Sequence, residues 1–303
     1  MEADGRTNFR LPADCSISQA VGILTRLFMH LPTDFAAEAR MLVCAAAGVG
    51  RLDFLRDPER RLDARSARSL EEMAARRLER EPVSRIIGRR GFWSLDLEVA
   101  PGVLDPRADT ETVVEAAVRL LIKRRDDPLR IIDLGTGSGA ILCALLKEFP
   151  AATGVGLDAS PDACAAARRN LTRCGLDSRA DVIAGSWEHA VPGRFDLVAS
   201  NPPYIESEVI PVLDPEVNRH DPILALDGGV DGLDAYRSIA MRLGDWMLPR
   251  AVVVFETGSG QAPAVTKIMT GHGFRPEGLW RDLGGNDRIV AFSGPEQTAA
   301  RAS

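Results

Sequence analysis

The chain lacks the marks of several large protein classes. Its five cysteines, Cys15, Cys44, Cys143, Cys164 and Cys174, form no C-x-x-C pair, and their number is odd. That usage argues against a zinc site and a disulfide framework, and it reads as a reduced, cytoplasmic protein. The first residues, MEADGRTNFRLPADC, contain no apolar signal core, and no apolar run approaches membrane-spanning length. There is no internal repeat and no long low-complexity tract. No histidine sits in a catalytic pattern: His189, His220 and His272 fall near loops and read as structural or solvent-facing. The net charge of −6 argues against a nonspecific nucleic-acid binder. The charge is uneven, because residues 51–90 hold 12 Arg against 8 Asp or Glu, leaving +4 there and −10 elsewhere. A solvated helix face with interleaved acids accounts for that stretch.

With 303 residues, 45% of them hydrophobic, the chain can bury a core in one large domain or two unequal ones. Residues 17–30 carry apolar positions at helical spacing and stop before Pro32. Thr33 is expected to cap a second helix ending near Gly48. A short helix near 51–56 and a long one near 64–81, ended by Pro82, complete a small bundle poor in aromatics. The period then changes. Residues 91–99 alternate like a strand, and Pro101-Gly102 reads as a turn. The expected organisation is a helical domain at 1–85, a β-hairpin linker at 86–107, an α/β domain at 108–293 and a polar tail at 294–303.

From about 108 the pattern alternates. A helix is expected from Asp109 to about Arg125, then strands at 130–134, 153–157, 180–184 and 195–200, with helices near 140–148 and 161–174 between the first three. A helix near 233–247, a strand at 251–256 and a helix near 262–271 follow, and two strands near 274–281 and 287–293 close the domain. Strands separated by helices imply a parallel sheet with right-handed crossovers. The last two can pair only as a hairpin, so one of them runs antiparallel to the rest.

Two stretches carry chemistry. Ile131-Ile132-Asp133-Leu134-Gly135-Thr136-Gly137-Ser138-Gly139-Ala140 is a strand entering a glycine turn and then a helix. Such a turn lets a ligand approach the backbone and offers free N–H groups. Asp158 ends the next strand, where a carboxylate can take both ribose hydroxyls. Gly135, Gly137 and Ala140 also satisfy the dinucleotide pattern, so NAD stays open on the turn alone. Two details favour S-adenosylmethionine. Asp133 would repel a pyrophosphate but suits a cationic amino-acid tail. The second detail is Asn201-Pro202-Pro203-Tyr204, at the end of a later parallel strand, where ligands of open α/β sheets bind. Trp187 can stack on adenine, although a core role is open to it as well.

The tetrapeptide suits a planar nitrogen with two hydrogens. Two prolines fix φ twice and remove two backbone donors. The Asn201 side-chain oxygen and the Pro202 carbonyl can then accept two N–H bonds, with the Tyr204 ring against the plane. Holding both hydrogens aims the nitrogen lone pair at a methyl group and stabilises positive charge as it develops. No general base is needed at that step, and no metal.

Taken together, these stretches resemble the HemK-type protein-(glutamine-N5) methyltransferases, and within them the release-factor glutamine methyltransferases. Further matches are Glu81-Pro82-Val83, Gly91-Phe92-Trp93, Pro106-Arg107 with Asp109-Thr110-Glu111, Leu224 to Gly229 with Asp231-Gly232-Leu233, and Arg281-Asp282-Leu283 with Asn286-Asp287-Arg288. The resemblance implies an α/β fold: a Rossmann-like class I methyltransferase sheet, mostly parallel, joined by a β-hairpin to an N-terminal helical domain that docks the substrate. It implies S-adenosyl-L-methionine as cofactor and S-adenosyl-L-homocysteine as product. The substrate it implies is the glutamine of the Gly-Gly-Gln motif in class I peptide chain release factors. Asp133, Gly135, Thr136, Gly137, Ser138, Gly139, Asp158, Trp187 and Asn201 would bind the cofactor. Asn201 and Pro202 would hold the amide, with Pro203, Tyr204 and Phe92 shaping its slot. A monomer without stable nucleic-acid or membrane partners is expected. Two departures stand out: Ala108 replaces a usual proline, and Ser186 a usual aspartate before Trp187. Methylation of a ribosomal protein or of a nucleic-acid base, and a noncatalytic binding module, remain alternatives.

Overall fold

The structure, a computed structural model, describes residues 9–187, 193–282 and 284–294. His189 and Leu283 lie outside the described residues. The chain divides into two compact units, 1–88 and 89–303.

The first unit is helical: α1 (Ile17–Phe28), α2 (Phe35–Ala47), α3 (Arg51–Arg56), α4 (Ala64–Leu78) and α5 (Val83–Ile87). Ser16 and Gln19 cap α1 reciprocally. Asp34, not Thr33, caps α2, because its carboxylate reaches the Ala37 N–H at 3.1 Å. The Thr33 hydroxyl donates instead to Glu38. The expected long helix stops at Leu78. Pro82 does more than end a helix; it starts α5, since a residue with fixed φ and no N–H suits a helix start. Leu24, Phe28, Leu42 and Leu70 fill the core. Arg77 is buried beside them and bonds Glu38 at 2.8 Å.

The second unit opens with a hairpin of β1 (Arg89–Phe92) and β2 (Leu95–Glu98). The stretch 91–99 is therefore not one strand. Its alternation survives because a two-residue turn keeps Phe92, Leu95 and Leu97 on one face. Trp93 takes φ of 56°, held by its N–H on Glu111 at 2.7 Å and its indole N–H on Glu148 at 2.8 Å. After α6 (Glu111–Leu121) come β3 (Arg130–Leu134), α7 (Ala140–Glu148), β4 (Thr153–Asp158), α8 (Pro161–Arg173), β5 (Ala180–Ala184) and β6 (Phe195–Ser200). Then follow α9 (Pro215–Asn218), α10 (Asp234–Trp246), β7 (Met247–Glu256), α11 (Ala262–Gly271), β8 (Arg275–Arg281) and β9 (Asp287–Ser293).

The seven strands pair in the order β5-β4-β3-β6-β7-β9-β8, and β9 runs opposite to the other six. Every residue of β6 is buried, as a strand covered on both faces requires. Ile131, Leu197 and Val254 face the core built with α6, α7 and α8, while Ile132, Val198 and Val253 face α10 and α11. The chain runs outward from β3 to β5 and returns to β6. The reversal falls between β3 and β6, the crevice where open α/β sheets bind ligands.

Candidate active site

That register brings the two chemical stretches together. Leu134 pairs with Ser200, and the Ser200 hydroxyl donates to the Leu134 carbonyl at 2.6 Å. The glycine turn after β3 and the proline corner after β6 thus leave adjacent strand ends side by side. A cavity of about 330 Å³ opens there, lined by Gly135, Gly137, Asp158, Trp187, Asn201 and Pro203.

Gly135, Gly137 and Gly139 all take positive φ. The turn folds back on β4, with the Gly135 and Thr136 N–H groups on the Leu157 carbonyl at 2.8 and 2.9 Å. A side chain at 135 would stand 3.5 Å from the Trp187 ring, which covers the turn. Asp158 accepts from the N–H groups of Gly137 and Ser160, each at 2.8 Å. Burial raises its pKa and these bonds oppose the rise. Asp158 lines the cavity, and each of its oxygens accepts one of these two bonds.

Asp133 lies behind the turn and does not line the cavity. It is fully buried, and its Oδ2 accepts the Thr136 hydroxyl at 2.7 Å. Its Oδ1 has no hydrogen-bond partner among the described residues. Burial pushes its pKa up to about 7, and neighbouring Asp158 adds to the rise. The Thr136 hydroxyl and the Leu142 backbone N–H oppose that rise, and no cation faces this carboxylate among the described residues.

At the proline corner, the Asn201 Nδ2 donates to the Thr110 hydroxyl at 3.2 Å. Its Oδ1 and the Pro202 carbonyl accept no hydrogen bond among the described residues. Tyr204 is held through its backbone, whose carbonyl accepts Gln261 Nε2 at 2.9 Å. Its phenol is pushed up to about 12, first by burial and then by Glu256 nearby. The loop 226–232 packs on this backbone. A Cβ at Gly232, where φ is 70°, would stand 2.4 Å from the Tyr204 carbonyl oxygen, so only glycine fits. Gly232, Gln261 and Glu256 escaped the sequence reading of the site. The glycines at 228, 229 and 232 were its one visible trace.

Thr136, Ser138 and Gly139 shape the turn without lining the cavity, and Pro202 and Tyr204 also stand back from its wall. Phe92 is 1% exposed in the core facing α6 and does not line the cavity either. Ser186 does line it. Arg107 is fixed by an ion pair with buried Asp221, which anchors the loop where Ala108 stands in place of proline. Asp109 and Arg288 approach to 4.0 Å, and Arg288 also bonds Asp282 at 3.1 Å. Among the described residues no metal-binding cluster occurs, and no helix is long and apolar enough to cross a membrane.

The profile described as Methyltransferase small domain matches residues 108–212, and that described as PrmC N-terminal domain matches residues 33–88. The chain is 43% identical to a release factor glutamine methyltransferase of Agrobacterium fabrum, covering 86% of this chain and 90% of the relative. It is 46% identical to a protein of the same name from Rhodospirillum rubrum, over 84% of this chain and 77% of that one. Among solved structures, the hMettl16 catalytic domain in complex with an RNA hairpin shares the fold, with a TM-score of 0.53 at 14% identity, covering 66% of this chain and 76% of that one. These matches decide between the two readings of the glycine turn in favour of a methyltransferase over a dehydrogenase. The chain belongs to the release factor glutamine methyltransferase family, and it is a protein-glutamine methyltransferase.

Proposed function

We propose that the chain transfers a methyl group from S-adenosyl-L-methionine to the side-chain nitrogen of the glutamine in the Gly-Gly-Gln motif of class I release factors. One observation carries the reading. Asn201, which lines the cavity, turns its NH2 onto Thr110, and its Oδ1 and the carbonyl of the next residue, Pro202, accept no hydrogen bond among the described residues. Two fixed acceptors match the two hydrogens of a primary amide. Bound in the cavity, S-adenosylmethionine supplies an activated methyl group on a sulfonium.

The chain's own residues do the rest. The glycine turn admits the cofactor's backbone-facing parts, Asp158 serves its hydroxyls, Trp187 covers its base, and Asp133 answers its ammonium group. Asn201 and Pro202 hold both amide hydrogens, which keeps the lone pair in line and favours the positive charge that grows on nitrogen. One proton then leaves the nitrogen to solvent, so no side-chain base is required. The N-terminal helical unit, whose Arg-rich stretch is its distinguishing charge, docks the release factor.

Mass spectrometry tests this. Unmethylated release factor incubated with the protein and cofactor should gain a single methyl group on the Gly-Gly-Gln glutamine. Asn201→Ala should lower kcat by about 100-fold or more, as removal of one preorganised polar group does elsewhere. An unmodified release factor, with cofactor binding verified by calorimetry, would overturn the substrate.

A further inference from the structure

The ladder of β6 ends at Ser200, and Pro202 and Pro203 bring no N–H of their own. The corner that follows must be anchored by other means. Its front is tied by the Asn201 Nδ2 to the Thr110 hydroxyl at 3.2 Å. Its back is tied by Gln261, which stands at the start of α11, after the loop that leaves β7. Gln261 Nε2 donates to the Tyr204 carbonyl at 2.9 Å and, more weakly, to the Gly232 carbonyl at 3.4 Å. Its Oε1 accepts the Gly258 N–H at 3.0 Å. One side chain thus joins the loop after β6, the loop before α10 and the loop after β7.

These partners leave the Gln261 amide no choice of direction. A backbone N–H can only donate and a backbone carbonyl can only accept. The Gln261 oxygen must therefore face Gly258, and its NH2 must face Tyr204 and Gly232. The slot around it is made of backbone. A Cβ at Gly258 would stand 2.7 Å from Gln261 Oε1, and one at Gly228 would stand 2.8 Å from the Tyr204 Cα. With glycine at both positions, the loops meet through their main chains.

The tie holds more than one residue. Past Tyr204 the chain runs along the loop before α10. The Ile205 N–H donates to the Leu226 carbonyl at 3.0 Å, and the Gly228 N–H to the Ile205 carbonyl at 2.8 Å. Leu224, Ala225 and Asp227 of that loop line the cavity, as do Asn201 and Pro203 of the corner, whereas Gln261 does not. We infer that Gln261 is a positioning residue for methyl transfer. It fixes the Tyr204 end of the proline corner against the loop before α10, and so sets where Asn201 Oδ1 and the Pro202 carbonyl stand relative to the methyl group. This rests on the reading of the corner as an amide clamp. The glycine turn and Asp158, which belong to the ends of β3 and β4, are untouched by the tie. Loss of Gln261 should therefore tell on the transfer step and not on cofactor affinity.

The first arm of the test needs no substrate. Tyr204-Ile205 is the chain's one Tyr-Ile step, since the other tyrosine, Tyr236, precedes Arg237. Isotope labels on the tyrosine carbonyl carbons and the isoleucine nitrogens therefore give one coupled NMR signal, that of the Tyr204 carbonyl. A carbonyl carbon that loses a hydrogen bond is shielded, so the signal should move upfield in Gln261→Met. Gln261→Glu keeps the shape but sets an acceptor where a donor is needed, and it should move the signal too. In methyl transfer to a release factor, both variants should lower kcat about 30-fold, with S-adenosylmethionine affinity by calorimetry within about twofold of wild type. A signal unmoved in both variants overturns the inference. So does wild-type kcat in a variant whose signal has moved, or a cofactor affinity that falls in step with kcat, which would mark a general loss of fold. A moved signal, in a protein whose wild type leaves release factors unmethylated, supports the tie and overturns the substrate reading alone.

Discussion

Asp133 and Glu256 invite comparison, because they solve the same problem with different partners. Each ends or nearly ends a central strand, β3 for one and β7 for the other. Each is buried, and each keeps one oxygen without a hydrogen-bond partner among the described residues. Burial lifts both to about 7. They differ in the charge that faces them. Arg288 draws Glu256 down, whereas Asp158 pushes Asp133 up. Glu256 has its counter-charge within the chain. Among the described residues no cation faces Asp133, which is why the proposed function gives it the ligand's ammonium group. The two carboxylates therefore differ in counter-charge and not in having an unpaired oxygen.

That contrast can be broken from either side. The largest effect should come from Arg288→Met, which strips Glu256 and Asp282 of their cation. Breaking such a pair costs about 3 kcal/mol when both partners are buried, and Arg288 is 14% exposed, so a loss of about 2 kcal/mol in denaturant unfolding is expected. A loss below about 0.5 kcal/mol would mean that Glu256 does not depend on Arg288.

Asp133→Asn should weaken S-adenosylmethionine about 30-fold by calorimetry, or about 2 kcal/mol, since a buried ammonium would lose its ionic partner. Glu256→Gln should leave that affinity within about twofold, because its charge answers Arg288 and not the ligand. Equal losses in the two variants would erase the distinction.

Stability against pH sharpens it further. Both carboxyls bind their protons more tightly in the folded chain than in the unfolded one, holding them up to about pH 7. The folded state therefore binds more protons over the acid-to-neutral range, and stability of the cofactor-free protein falls as pH rises toward 7. Asp133→Asn should flatten that fall and raise neutral-pH stability by about 1 kcal/mol, measured as unfolding midpoints across the range. Saturating cofactor should flatten it in the wild-type protein as well. A steeper fall in the variant would refute the assignment.

Much of this was legible in the chain itself. The strand, turn and helix around Gly135 announce themselves because apolar residues, glycines and a helix follow one another without interruption. The prolines at 202 and 203 are equally plain. The parallel run of the sheet follows from helices between strands, and the antiparallel partner near the end from a loop too short to hold one, whereas the order of the strands appears only in the fold. The hairpin turn at Trp93-Ser94 was hidden, because a two-residue turn leaves the alternation of a strand intact. Thr33 looked like a cap because it is a capping residue type, but the next residue, Asp34, has the geometry. Glu256 was invisible. It closes an apolar run as an ordinary strand-ending charge, and its significance depends on Arg288, a neighbour only in the folded sheet. Phe92 shows the opposite case, a residue taken for the slot that the fold commits to the core.

The position of β9 has a consequence for how the molecule is made. It is the last strand in the sequence, yet it lies inside the sheet, between β7 and β8. A chain cut before Asp287 would already possess the glycine turn and the proline corner. Its sheet would nonetheless have a slot one strand wide, with the inner edges of β7 and β8 left bare. Arg288 rides on that same strand. That strand is therefore a keystone: it closes the lattice of backbone bonds and carries the cation that faces Glu256.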